Sequence, residues 1–92
     1  MKKAVAKVIN GIKVGTYFDV HFVANKLFQK HTNEYYRIVR ENPKINQAVL
    51  IQKIGHTIKI HFPNCEHVGQ SVSYNIRGNE TAVRLFKKAR NR

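Results

Sequence analysis

Residues 42–62 decide how this chain is read: Asn42-Pro43-Lys44-Ile45-Asn46-Gln47-Ala48-Val49-Leu50-Ile51-Gln52-Lys53-Ile54-Gly55, then His56-Thr57-Ile58-Lys59-Ile60-His61-Phe62. Proline at a first helical position costs no hydrogen bond, and Asn42 before it has the chemistry of an N-cap. Gly55 suits the left-handed residue that follows a helix. The spacing therefore predicts a helix from Pro43 to about Ile54. Ile45, Ala48, Val49 and Gln52 share one face. Asn46, Gln47, Leu50 and Lys53 share a second, mostly polar one. Beyond Gly55 the period changes. Ile58, Ile60 and Phe62 alternate with Lys59 and His61, which predicts a strand over 57–62.

Downstream, Pro63-Asn64 breaks the strand. Ser71–Ile76 alternates again, with Val72, Tyr74 and Ile76 on one side. The two strands form an expected hairpin with a loop over 63–70. Arg77-Gly78 turns the chain, and Asn79 caps a last helix burying Ala82, Val83, Phe86 and Ala89, with Arg84, Lys87 and Lys88 outward.

Upstream, Thr32 or Asn33 starts a short helix with Tyr35, Ile38 and Val39 on its buried face, stopped at Pro43. Before it, Asp19 is a good N-cap, and Val20, Val23, Ala24, Leu27 and Phe28 form one helical stripe ending near Lys30-His31. Residues 3–9 are short and partly β-branched. They run into Asn10-Gly11, a favoured type I′ turn pair, so an N-terminal strand or hairpin is expected.

The order of these elements resembles a winged helix-turn-helix. The resemblance is one of architecture and covers roughly residues 3–77. It implies an α+β domain with an N-terminal β-strand or hairpin, three helices, a two-stranded wing and an added C-terminal helix. It also implies that the third helix enters the DNA major groove and the wing lies on the backbone or minor groove. The whole chain, 1–92, is then a single winged-helix-like nucleic-acid-binding domain.

Charge points the same way. The 92 residues carry 17 Lys and Arg against 5 Asp and Glu, a formal net charge of +12. So large a charge repels itself and suits a polyanionic partner. On the expected third helix, Asn46 and Gln47 have side chains able to pair bidentately with adenine. Leu50 can meet a thymine methyl, and Lys44 and Lys53 can reach phosphate or guanine. An ordinary solvated helix face is the plainer reading of the same residues. Lys59, His61, Asn64, His67 and Gln70 are expected along the wing, with Arg77 at its far end. The basic termini, Lys2, Lys3, Lys7 and Lys13 at one end and Arg84, Lys87, Lys88, Arg90 and Arg92 at the other, have few acids to pair with.

Other chemistries are weaker. One cysteine excludes an internal disulfide framework and fits a reducing, cytoplasmic setting. His56, His61, Cys65 and His67 are competent zinc ligands, but His-x4-His-x3-Cys-x-His is unlike a standard finger, so no metal or other cofactor is expected. Asp19, Glu34, Glu41, Glu66 and Glu80 are scattered, with no pair for a metal nuclease and no Gly-rich phosphate loop. The expectation is a non-enzymatic double-stranded DNA-binding protein, sequence-specific or architectural, regulating transcription in a bacterium, phage or mobile element. The reading leaves a homodimer open and includes no membrane partner. The rival is a small basic RNA-directed protein: a toxin-like ribonuclease using His61 or His67, or an RNA binder of the ribosomal kind.

Overall fold

A computed structural model of the chain describes residues 1–75 and 78–90. Among them the chain forms four helices and one three-stranded antiparallel sheet. The order is α1 (Lys2–Ile9), β1 (Tyr17–Asp19), α2 (Val20–Lys30), α3 (Thr32–Glu41), α4 (Gln47–His61), β2 (Cys65–Tyr74) and β3 (Glu80–Lys88). The sheet order is β1-β3-β2, so β3 is central and β2 is an edge. An α+β domain is what the sequence predicts; the expected element order, with a hairpin over 57–76 followed by a C-terminal helix, is not the one observed.

The largest correction lies in the deciding stretch. Residues 57–62 do not form a strand. The helix starts later and runs on through Gly55 to His61. Leu50, Ile54 and Ile58, at i, i+4 and i+8, are buried, while Ile60 is 57% exposed. The alternation of Ile58 and Ile60 was the misleading pattern; the four-residue spacing of 50, 54 and 58 is the one that burial follows. Gly55 is not a cap. A Cβ there would sit 3.3 Å from Val20 Cγ2 and 3.6 Å from Arg84 Cδ. The missing side chain lets α4 lie against the start of α2 and the middle of β3.

The expected caps also move. Asn42 closes α3, its Nδ2 donating to the Ile38 carbonyl at 2.8 Å. Asn46, not Asn42, caps α4: its Oδ1 accepts from Val49 N at 2.9 Å. Asp19 caps α2 as expected, accepting from Phe22 N at 2.8 Å.

Residues 2–9 are helical rather than extended. Ala4, Val5, Val8 and Ile9 are buried along one stripe. Asn10 has φ −63°, so Asn10-Gly11 is no type I′ turn, which needs positive φ at both positions. Such a short helix is marginal in isolation. Here it is held by packing on α2 and α4, and by Lys88, whose Nζ donates to the Ile9 carbonyl near the helix C-terminus. A cation at that end meets the negative pole of the helix.

The expected C-terminal helix is strand β3, and the expected loop 63–70 is largely strand β2. Ala82, Val83 and Phe86 fit a helical stripe, but pairing prevails. β3 is hydrogen-bonded on both sides, to β1 (Phe18 opposite Phe86) and to β2 (Ser73 opposite Thr81). Phe18 and Phe86 stack with centroids 5.8 Å apart at the centre of the core. Between the two strands Asn75 Oδ1 accepts from Asn79 N, and Gly78 takes φ +80°. A bulge between His67 and Gly69 interrupts β2.

Candidate nucleic-acid interface

Burying Leu50, Ile54 and Ile58 turns the opposite side of α4 outward. Val49, Gln52, Lys53, His56, Lys59 and Ile60 are all exposed there. This ridge is not the polar face expected from the sequence. Leu50 is 2% exposed and belongs to the core. Gln47 is half-buried, with its Nε2 enclosed and lacking a partner. Asn46 is exposed, but its amide oxygen is occupied in capping. Of the four residues assigned to one face, Lys53 alone lies on the outward ridge.

Lys53 is also central to the surface relief. One groove is lined by Asn42, Gln52, Lys53, His56 and Thr57 with Met1. A second runs over Asn42, Pro43, Lys44, Ile45 and Lys53. Lys44, exposed in the α3–α4 connection, and Lys53 thus flank the same depression, with Gln52 and His56 beside it. Lys59 continues the ridge one turn further on.

A third groove separates α1 from α2. Lys7, Lys26, Lys30 and His31 line it over Val8 and Ile12, beside Phe22. Lys26 Nζ lies 5.6 Å from the Phe22 ring centre. Lys7 pairs with Glu34 of α3, which holds the Glu34 carboxyl below its ordinary value.

The wing residues divide differently from expectation. Lys59 and His61 belong to α4, not to a strand. His67 is on β2 with its ring tilted against Phe86 and its Nε2 3.0 Å from the Gly69 carbonyl. Arg77 lies outside the described residues. β2 contains no Lys or Arg at all. On β3, Lys88 is buried and committed to Ile9, Lys87 lies over the Tyr17 ring, and Arg84 is half-buried with Nη1 enclosed and unpartnered. Arg84 lines a cleft of about 180 Å³ between α4 and the hairpin, with Ile51, Gly55, Gln70 and Val83. Arg84, Lys87 and Lys88 therefore do not form the outward stripe expected of them.

Comparison with protein-family models, curated proteins and solved structures returned no match. What the site does must follow from its own chemistry.

His21, 2% exposed, has Nδ1 2.7 Å from Ser73 Oγ and Nε2 3.1 Å from Thr81 Oγ1, so both ring nitrogens serve to join α2 to the hairpin. Cys65 is buried, and desolvation raises its thiol pKa against a smaller opposite pull from Lys88. Among the described residues, no three His, Cys, Asp or Glu side chains come together as a metal site. No described helix is long and apolar enough to cross a membrane.

Gln52 and His56 were missed as candidates. Sequence reasoning set Gln52 on one face with Ile45, Ala48 and Val49 and, ending the helix at Ile54, weighed His56 only as a metal ligand. The spacing of Leu50, Ile54 and Ile58, followed through Gly55, is the pattern that locates both.

Proposed function

We propose that this chain is a winged-helix-type protein that binds double-stranded DNA, laying the outward ridge of α4 in the major groove. The observation that carries the reading is the composition of that ridge. Gln52, Lys53 and His56 project together from one exposed helix face, flanked by Lys44 and Lys59, on a chain of net charge +12. Lysines supply the sequence-independent attraction to phosphate, while glutamine can pair with the edge of adenine and lysine with guanine.

The topology supports the same reading. A short strand before the last helices lies beside the terminal hairpin, in the order β1-β3-β2, as a winged helix would arrange it. The chain departs from the simple pattern in having an extra helix. It also departs in its hairpin, whose β2 strand offers phosphate no cation, so the wing contributes less to binding than the helical body. The role that fits is regulatory or architectural.

The test is a pair of substitutions read on two ligands. Gln52→Ala and His56→Ala should weaken binding to a duplex selected from a random library and leave unselected duplex nearly unchanged. A good bidentate contact is worth about 1–3 kcal/mol of discrimination. Equal losses on both duplexes make α4 a positioning helix, and tighter binding to structured RNA than to any duplex removes the DNA reading.

A further inference from the structure

The cations of this chain leave one gap. Between Lys59 and Arg77 the sequence contains no Lys or Arg, although 17 are spread over 92 residues. The gap contains the whole of β2, which is the edge of the sheet. Natural edge strands are protected by lysines, prolines, bulges or short length. β2 is ten residues long and has neither lysine nor proline. Its single protection, the bulge between His67 and Gly69, leaves the stretch Gln70-Ser71-Val72-Ser73-Tyr74 in regular register with β3. On that stretch Val72 is 63% and Tyr74 62% exposed.

We infer that the free edge of β2 is a homodimer interface, pairing antiparallel with β2 of a second copy across a two-fold axis near Val72. Two copies of net charge +12 repel one another over most approaches. The neutral edge is where that repulsion is least and where main-chain donors and acceptors await a partner. With Val72 on the axis, Val72 meets Val72, Gln70 meets Tyr74 and Ser71 meets Ser73. Apolar and neutral groups therefore face one another throughout. The bulge ends the contact on one side and the end of β2 at Tyr74 on the other. The two sheets become one of six strands, and the α4 ridges are left free. The inference does not depend on the nucleic-acid reading.

Salt separates the two. Screening reduces repulsion between like-charged copies, so the dimer should strengthen with ionic strength, whereas a phosphate contact weakens. Sedimentation equilibrium of the full chain without DNA, through a concentration series reaching about 1 mM, should show the mass rising to twice the monomer, more readily at high salt. Val72→Lys sets two ammonium groups against each other on the axis and should raise the dimer dissociation constant at least about tenfold. Val14→Lys adds the same charge at another exposed valine, in the α1–β1 connection, and should dimerise as the parent does. Circular dichroism checks the fold of each variant, and Tyr74→Lys replaces Val72→Lys if that variant is unfolded. A parent monomeric throughout, a dimer weakened by salt, a dimer unaffected in the folded β2 variant, or a dimer abolished equally in Val14→Lys would each overturn the inference.

Discussion

The helical body and the hairpin solve the problem of a charge of +12 in opposite ways. The helices bury one stripe each and put their cations on the other side, so Lys7, Lys26, Lys30, Lys44, Lys53 and Lys59 line grooves or ridges between elements. Among the described residues, the hairpin holds its cations on β3 alone. There they are drawn into structure: Lys88 to the end of α1, Lys87 to Tyr17, Arg84 to the α4 cleft. The same residue type thus lines open grooves in one region and packs against neighbours in the other. Charge counted along a sequence does not distinguish the two.

The largest effect expected from breaking this division is in the core of α4. Ile58→Ala should cost about 2–5 kcal/mol in urea unfolding, the range for deleting a fully buried isoleucine. Ile60→Ala, two residues on and 57% exposed, should stay within about 0.5 kcal/mol. Equal losses would mean that 57–62 is a strand with both side chains inward.

That pair of residues also shows where the sequence was legible. Asp19 as a cap, the buried Val20, Val23, Ala24 and Leu27 of α2 and the buried Tyr35 and Ile38 of α3 all follow from local chemistry, and the structure has them. The rest depended on partners that a sequence does not display. Residues 80–88 fit a helix by spacing and form a strand because β1 and β2 both pair with them. Residues 2–9 are β-branched in part but helical because their stripe has α2 and α4 to pack on. Gly55 reads as a stop until Val20 is seen to need its space. The candidate site suffered from the same cause: with the helix ended at Ile54, about two turns early, the spacing of Leu50, Ile54 and Ile58 went unused and Leu50 stood on the polar face.

A loss of about 1 kcal/mol in stability is expected from Asn46→Ala, the ordinary cost of removing an N-cap. The change should lower the urea midpoint without separating selected from unselected duplex. Loss of discrimination alone would restore Asn46 as a base reader and extend the helical contact surface to the start of α4.

The smallest effects are pH-dependent, one on each side of the division. In the hairpin, burial raises the Cys65 thiol pKa, so the native state holds that proton more tightly than the unfolded chain does. Its contribution is present below the ordinary thiol value and fades as pH rises through the raised one. Alkylation of the native thiol at mildly alkaline pH should be slower than that of the urea-unfolded chain, and equal rates would contradict a buried thiol. In the helical body, the Lys7 contact lowers the Glu34 carboxyl pKa, so its contribution is present above the ordinary value of 4.5 and fades as pH falls through the lowered one. Glu34→Gln should remove a small part of the acid sensitivity of unfolding; an unchanged pH profile would show that the pair contributes nothing.

The most direct test of the central claim, that the helical body and not the hairpin carries the nucleic-acid contact, is the salt dependence of duplex DNA affinity. Titrations of the parent chain and of a Lys44→Gln, Lys53→Gln, Lys59→Gln variant should both give log–log lines that fall with salt. The variant's slope should be shallower by about 0.9 for each phosphate that the removed lysines had neutralised, and so by up to about 2.7. Identical slopes for the two proteins, or a parent slope near zero, would contradict the account.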